Sequence, residues 1–224
     1  MEWVGLLVSR LNSGVSLGEY MEKKIFAPLG ATDSTFHPAK RPELEKRRLE
    51  MVMRTPEGGF VPATEQWLYP EDAKDDCGGL GLFSTVLDLI KVFGDLASKT
   101  PVLLSLRSIE LMFTPQFESH QGVEKGLVNM RFMYENLIGE GPINKDGGLN
   151  LNFGIGGIVT RKDTVNLPKN TLSWGGMPHL GWFVNRDLGV AGFLASQVVP
   201  PGDAKCSSII GSFFQEVVRQ AKQT

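Results

Sequence analysis

Apolar residues Trp3, Val4, Leu7, Val8 and Leu11 recur at helical spacing at the start of the chain, and Asn12-Ser13-Gly14 closes the pattern with a left-handed cap. The sequence therefore opens inside a helix, with no N-cap residue and no strand before it. Ser16-Leu17-Gly18-Glu19 has capping-box spacing, and the stripe Leu17, Tyr20, Met21 and Ile25 predicts a second helix stopped by Pro28-Leu29-Gly30. From Pro38 to Tyr69 the pattern turns polar. Charges of both signs alternate between Lys40 and Arg54, and Gly58-Gly59 is a turn pair, which predicts a solvated excursion with a marginal helix and a hairpin. Thr85 and Asp88, again at capping-box spacing, start a helix whose face is Val86, Leu89, Ile90, Phe93 and Leu96, and Ser105 caps another through Ile109, Leu111, Met112 and Phe113. Gln116 to Gly148 has little period and many glycines, and is expected to hold a lid or substrate loop.

The last third reads differently. Leu151 to Thr160, Leu172 to Gly176, Leu180 to Asn185 and Val190 to Val198 read as strands, and the short turns between them favour an antiparallel meander. A final helix carrying Ile209, Ile210, Phe213, Phe214, Val217 and Val218 would cover one sheet face. Helices first and a sheet afterwards give an α+β class, with an antiparallel sheet packed by helices. The expected organisation is a single incomplete domain over 1–224, mainly helix and loop over 1–150, then sheet and C-terminal helix over 151–224.

Composition narrows function mostly by exclusion. The 224 residues are 42% apolar, enough for one sizeable core. A formal charge of -2 gives no global field that would favour nucleic acid or an anionic membrane. No apolar run approaches membrane-spanning length, and Met1-Glu2-Trp3-Val4 lacks a basic leader region, so neither partner is expected and the location reads as cytoplasmic. Cys77 and Cys206 read as two free thiols. His37, His120 and His179 lack metal-ligand spacing, so no metal or cofactor is expected, and His179 reads as a surface turn residue. Gly79-Leu80-Gly81 lacks a P-loop lysine and follows Asp75-Asp76, which argues against a nucleotide site.

Candidate chemistry gathers at Trp174-Gly175-Gly176-Met177. Glycines at 175 and 176 let a ligand approach the backbone closely, and Trp174 offers an apolar wall. By itself the tripeptide equally describes a glycine-kinked edge strand with a core tryptophan. No serine is followed by lysine three residues later, and no Gly-x-Ser-x-Gly elbow occurs, so no catalytic residue is assigned. Tyr134-Glu135-Asn136 spells Tyr-x-Asn but reads as a coincidence in an irregular region.

The ordered landmarks carry a resemblance. The helix from Trp3, the stretch Tyr20 to Gly30 with Thr32-Asp33-Ser34-Thr35-Phe36 after it, Gly78-Gly79-Leu80-Gly81-Leu82-Phe83-Ser84-Thr85, and Trp174-Gly175-Gly176 together resemble the serine β-lactamase-related family. Within it the chain looks most like the fungal lovastatin-type polyketide acyltransferases and the esterases related to class C β-lactamases. The resemblance implies a β-lactamase/transpeptidase-like fold whose N-terminal part is missing here, with the Ser-x-x-Lys pair and the tyrosine belonging before residue 1. It implies an acyl-serine mechanism taking an acyl thioester donor, a carrier protein or coenzyme A, and a small-molecule alcohol acceptor. It also implies that Trp174, Gly175, Gly176 and Met177 line the substrate, with the Met177 N–H in the oxyanion hole where similar acyltransferases carry glycine. A chain without its nucleophile is expected to be inactive alone. A non-catalytic binding or regulatory remnant, or an esterase of the same family, stays open.

Overall fold

The computed structural model describes residues 1–63, 73–118, 121–129 and 131–223. Helix α1 (Glu2–Leu11) ends where Ser13 and Gly14 take positive φ, as the cap residues predict. The capping box at Ser16 forms in full, with both reciprocal bonds, and starts α2 (Leu17–Met21). The chain then passes through a π-turn at Glu22–Phe26 and a short 3-10 turn at Ala27–Leu29, and stops at the left-handed Gly30. The polar excursion holds the short helix α3 (Pro42–Glu45) and a hairpin of β1 (Val52–Arg54) and β2 (Phe60–Pro62). The end of this stretch, towards Tyr69, lies outside the described residues.

Thr85 caps α4 (Val86–Ala97) by accepting from the Asp88 N–H, and Ser105 caps α5 (Leu106–Phe113) in the same way. Only half of the box at Thr85 is made. The Asp88 carboxylate is buried and serves the Asp33 N–H (2.6 Å) and the Ser34 hydroxyl (2.9 Å), fastening α4 to the segment after Gly30.

Where a lid or loop was expected between 116 and 148, the chain forms α6 (Gln121–Asn129) and α7 (Arg131–Ile138). Leu127, Tyr134, Leu137 and Ile138 enter the main core. The apolar period there is real but is cut into two short pieces, which hides it from a longer window.

A five-stranded antiparallel meander follows, β3 (Leu151–Phe153), β4 (Ile158–Thr160), β5 (Thr171–Gly176), β6 (Leu180–Asn185) and β7 (Val190–Leu194), in spatial order β3-β4-β5-β6-β7. The expected single strand over 151–160 is a tight hairpin instead, because Gly156 takes φ +100° and reverses the chain. The expected strand over 190–198 also divides. It leaves the meander after Leu194, and β8 (Val198–Val199) pairs in parallel with β1, so β2-β1-β8 form a second, small sheet.

The final helix, α8 (Ala204–Ala221), buries Ile210, Phe214 and Val218. It covers one face of the meander, where Phe214 meets Phe183 edge-on at 4.9 Å. The other face is covered by α4 and α5. There Val184, Leu96 and Ile109 are buried together, and Phe93 stacks on Trp182 at 4.6 Å. Antiparallel sheet between helices is the α+β sandwich that the pattern predicts.

Candidate active site

Strand β5 carries Trp174, Gly175 and Gly176 of the four residues singled out in the sequence, and Met177 follows it in the turn. β6 pairs with it along its whole length, from Thr171↔Asn185 to Gly176↔Leu180. β4 pairs only with Leu172 and Ser173, so among the described residues no strand flanks Trp174, Gly175 and Gly176 on that side. An unpaired stretch of this kind offers backbone N–H and C=O groups to an extended ligand.

Both glycines are required by neighbours as well as by access. A Cβ on Gly175 would lie 2.8 Å from the Leu180 carbonyl oxygen, and one on Gly176 would lie 2.9 Å from the Leu180 side chain. Trp174 is half-buried, and its ring lies 6.1 Å from that of Tyr134. The row continues from Tyr134 to Phe153 and from Phe153 to Phe117, making an aromatic wall on one side of the open edge. Met177 stands exposed on the turn after Gly176. The sequence-selected residues are thus contiguous at one strand end, two of them forced to be glycine and one backed by aromatic rings.

Tyr134 is 4% exposed and lies in the core. Burial pushes its hydroxyl above the usual range, which is the wrong direction for a base. Among the described residues no group of three or more His, Cys, Asp or Glu side chains could hold a metal ion. His120 lies outside them. Gly79 donates its N–H to Glu2 Oε1 at 2.9 Å, so the glycine loop before α4 is packed on the start of α1.

His179 is a correction to the sequence reading. It is buried rather than on the surface, and it adopts φ +57° as the last residue of the loop Met177–His179 between β5 and β6. Its Nδ1 lies 2.8 Å from the Val198 carbonyl oxygen, and its Nε2 accepts from the Gly202 N–H (3.1 Å) and the Asp203 N–H (2.9 Å). Asp203 in turn caps α8 through the Cys206 N–H and binds Arg54 of β1 at 2.5 and 3.2 Å. The guanidinium holds the Asp203 carboxyl well below the usual carboxylate range. Asp203 is legible as an N-cap, but its link to a residue 149 positions away has no local signature.

The model of the Beta-lactamase family matches residues 1–208. The chain belongs to the beta-lactamase family. Among its relatives is Acyltransferase calJ of Penicillium decumbens, 34% identical over 99% of this chain and 52% of that protein. Lovastatin esterase of Penicillium rubens is 32% identical over 96% of this chain and 53% of its own length. A solved simvastatin synthase of Aspergillus terreus, the LovD6 mutant, superposes on all of this chain with a TM-score of 0.84 at 28% identity, over 54% of its own length. The hydrolase EstCE1 shares the fold, with a TM-score of 0.67 at 17% identity. The fold is therefore β-lactamase/transpeptidase-like, and the chain spans about half the length of the relatives it matches.

Proposed function

We propose that this chain provides the oxyanion strand and part of the substrate pocket of a serine acyltransferase of fungal secondary metabolism. The observation that carries the reading is the open edge of Trp174-Gly175-Gly176 leading into Met177, in a chain of the beta-lactamase family whose relatives include several fungal acyltransferases. In the proposed reaction a serine Oγ attacks the carbonyl carbon of an acyl thioester, from a carrier protein or coenzyme A, and passes its proton to a nearby base. The thiol leaves with a proton, and an alcohol acceptor then attacks the acyl-serine and releases the enzyme serine. Negative charge gathers twice on the former carbonyl oxygen, and the Met177 N–H is one donor to it, while Trp174 lines the acyl group. Met177 fills space that a glycine would leave open, which favours a slimmer acyl group. The two free cysteines accord with a cytoplasmic setting.

The nucleophile is not in these 224 residues, since no serine here has lysine three positions on. A fluorophosphonate probe tests the missing nucleophile, and a thioester assay tests the oxyanion role. The chain alone is expected to remain unlabelled, and robust single-site serine labelling would refute the assignment. Supplied with a family segment that carries Ser-x-x-Lys, the pair is expected to hydrolyse a simple thioester. Met177→Pro, which deletes the N–H, should then lower kcat by about a hundredfold or more, whereas Met177→Gly should keep activity. Equal loss in both variants would sink the oxyanion role.

A further inference from the structure

We propose that His179 is a positioning residue, fixing the direction of the Met177 N–H through a clamp beneath the turn; the proposal rests on the reading of Met177 as an oxyanion donor. A left-handed φ in the last position of a three-residue hairpin loop is cheapest for glycine. A histidine there gives up conformational ease and must gain something through its ring. His179 is 5% exposed, and its ring makes contacts at both nitrogens. Two N–H groups point at Nε2, so Nε2 is the acceptor and the proton sits on Nδ1, donated to the Val198 carbonyl. One neutral tautomer satisfies all three bonds.

A second tie reinforces the first. The Ser196 hydroxyl donates to the Pro178 carbonyl at 2.6 Å and lies 3.3 Å from the His179 carbonyl oxygen. Met177 is therefore bracketed, with Gly176 paired to Leu180 before it and Pro178 and His179 fastened after it. The clamp reaches structure that is rigid for other reasons, because Val198 pairs in the small sheet and Asp203 caps α8 and binds Arg54. His179 itself is buried below the turn and acts only through the backbone it holds. An oxyanion donor is effective only if it is already aimed when charge develops, and that preorganisation is what the clamp supplies.

Backbone 15N relaxation on the full 224-residue chain, with thermal unfolding measured alongside, tests this. The Met177 amide of the parent is expected to show an order parameter of about 0.85, falling below about 0.6 in His179→Ala, while Phe183 and Val184 keep parental values. His179→Gln, whose side-chain oxygen can accept from the Gly202 and Asp203 N–H groups, should restore most of the order at Met177. An unchanged Met177 in the Ala variant, a loss of order spread evenly over β5 to β7, or a Gln variant no better than Ala would each overturn the proposal. Should His179→Ala fail to fold, Ser196→Ala must loosen the same amide, and parental order there would overturn it as well. No acyl ligand takes part, so failure here leaves the thioester assay of the Met177 variants, which tests the oxyanion role, untouched, and the reverse holds too.

Discussion

A methyl group at Gly175 would sit 2.8 Å from a backbone oxygen that cannot swing aside, since Leu180 is locked in the β5–β6 ladder. Gly175→Ala should therefore destabilise the chain by about 1–3 kcal/mol, visible as a lower urea midpoint with an unchanged slope. The requirement for glycine is thus partly architectural, and ligand access comes with it. His179 teaches the complementary lesson. Met177 and Pro178 before it read as a turn, and the three groups that bind its ring come from 19 to 24 residues downstream. A single sequence reports the type of a side chain but not the partners that fold back onto it.

At the level of elements, Gly94 is the opposite case to Gly175. It lies within α4, exposed, with open space around a would-be Cβ. Gly94→Ala should raise stability by about 1 kcal/mol through helix propensity alone, seen as a rise in Tm. Helix starts were the most legible elements, because Ser16, Thr85 and Ser105 each announce a cap that the structure makes. The meander was legible in topology and less so in its breaks. Gly154, Gly156 and Gly157 turned one apparent strand into two, and Leu194 ended another early. Helices α6 and α7 escaped because each is short and owes its stability to packing on the sheet and α8 rather than to a sustained apolar stripe. The candidate site was legible as residues 174–177, and its geometry was not, since an open edge exists only relative to where β4 stops.

Across the whole molecule, the Arg54–Asp203 pair ties the small sheet to the start of α8 and, through the Asp203 N–H, to the turn. Arg54 lowers the folded-state pKa of Asp203, while the unfolded chain should titrate near the ordinary 3.8. The stabilisation is then complete at pH well above that value and is lost as pH falls below it towards the depressed folded value. Thermal melts across the acid range should show Asp203→Asn with a lower Tm than the parent at neutral pH and a gap that narrows on acidification. A gap that is constant with pH would show that the ion pair contributes nothing. The same molecule leaves Trp3 79% exposed and Leu11 75% exposed on α1.

The joining of β1 to β8 has a kinetic meaning. The partners lie 149 positions apart at Arg54 and Asp203, so their meeting carries the loop-closure cost of most of the chain, while the meander and its hairpins close over short separations. The hairpin bearing Met177 and its clamp, whose bonds span 19 to 24 residues, can form early, whereas the Arg54–Asp203 tie that anchors the clamp to β1 arrives late. A chain arrested before that step would have its meander and the turn clamp in place, with the anchor of that clamp to β1 still missing.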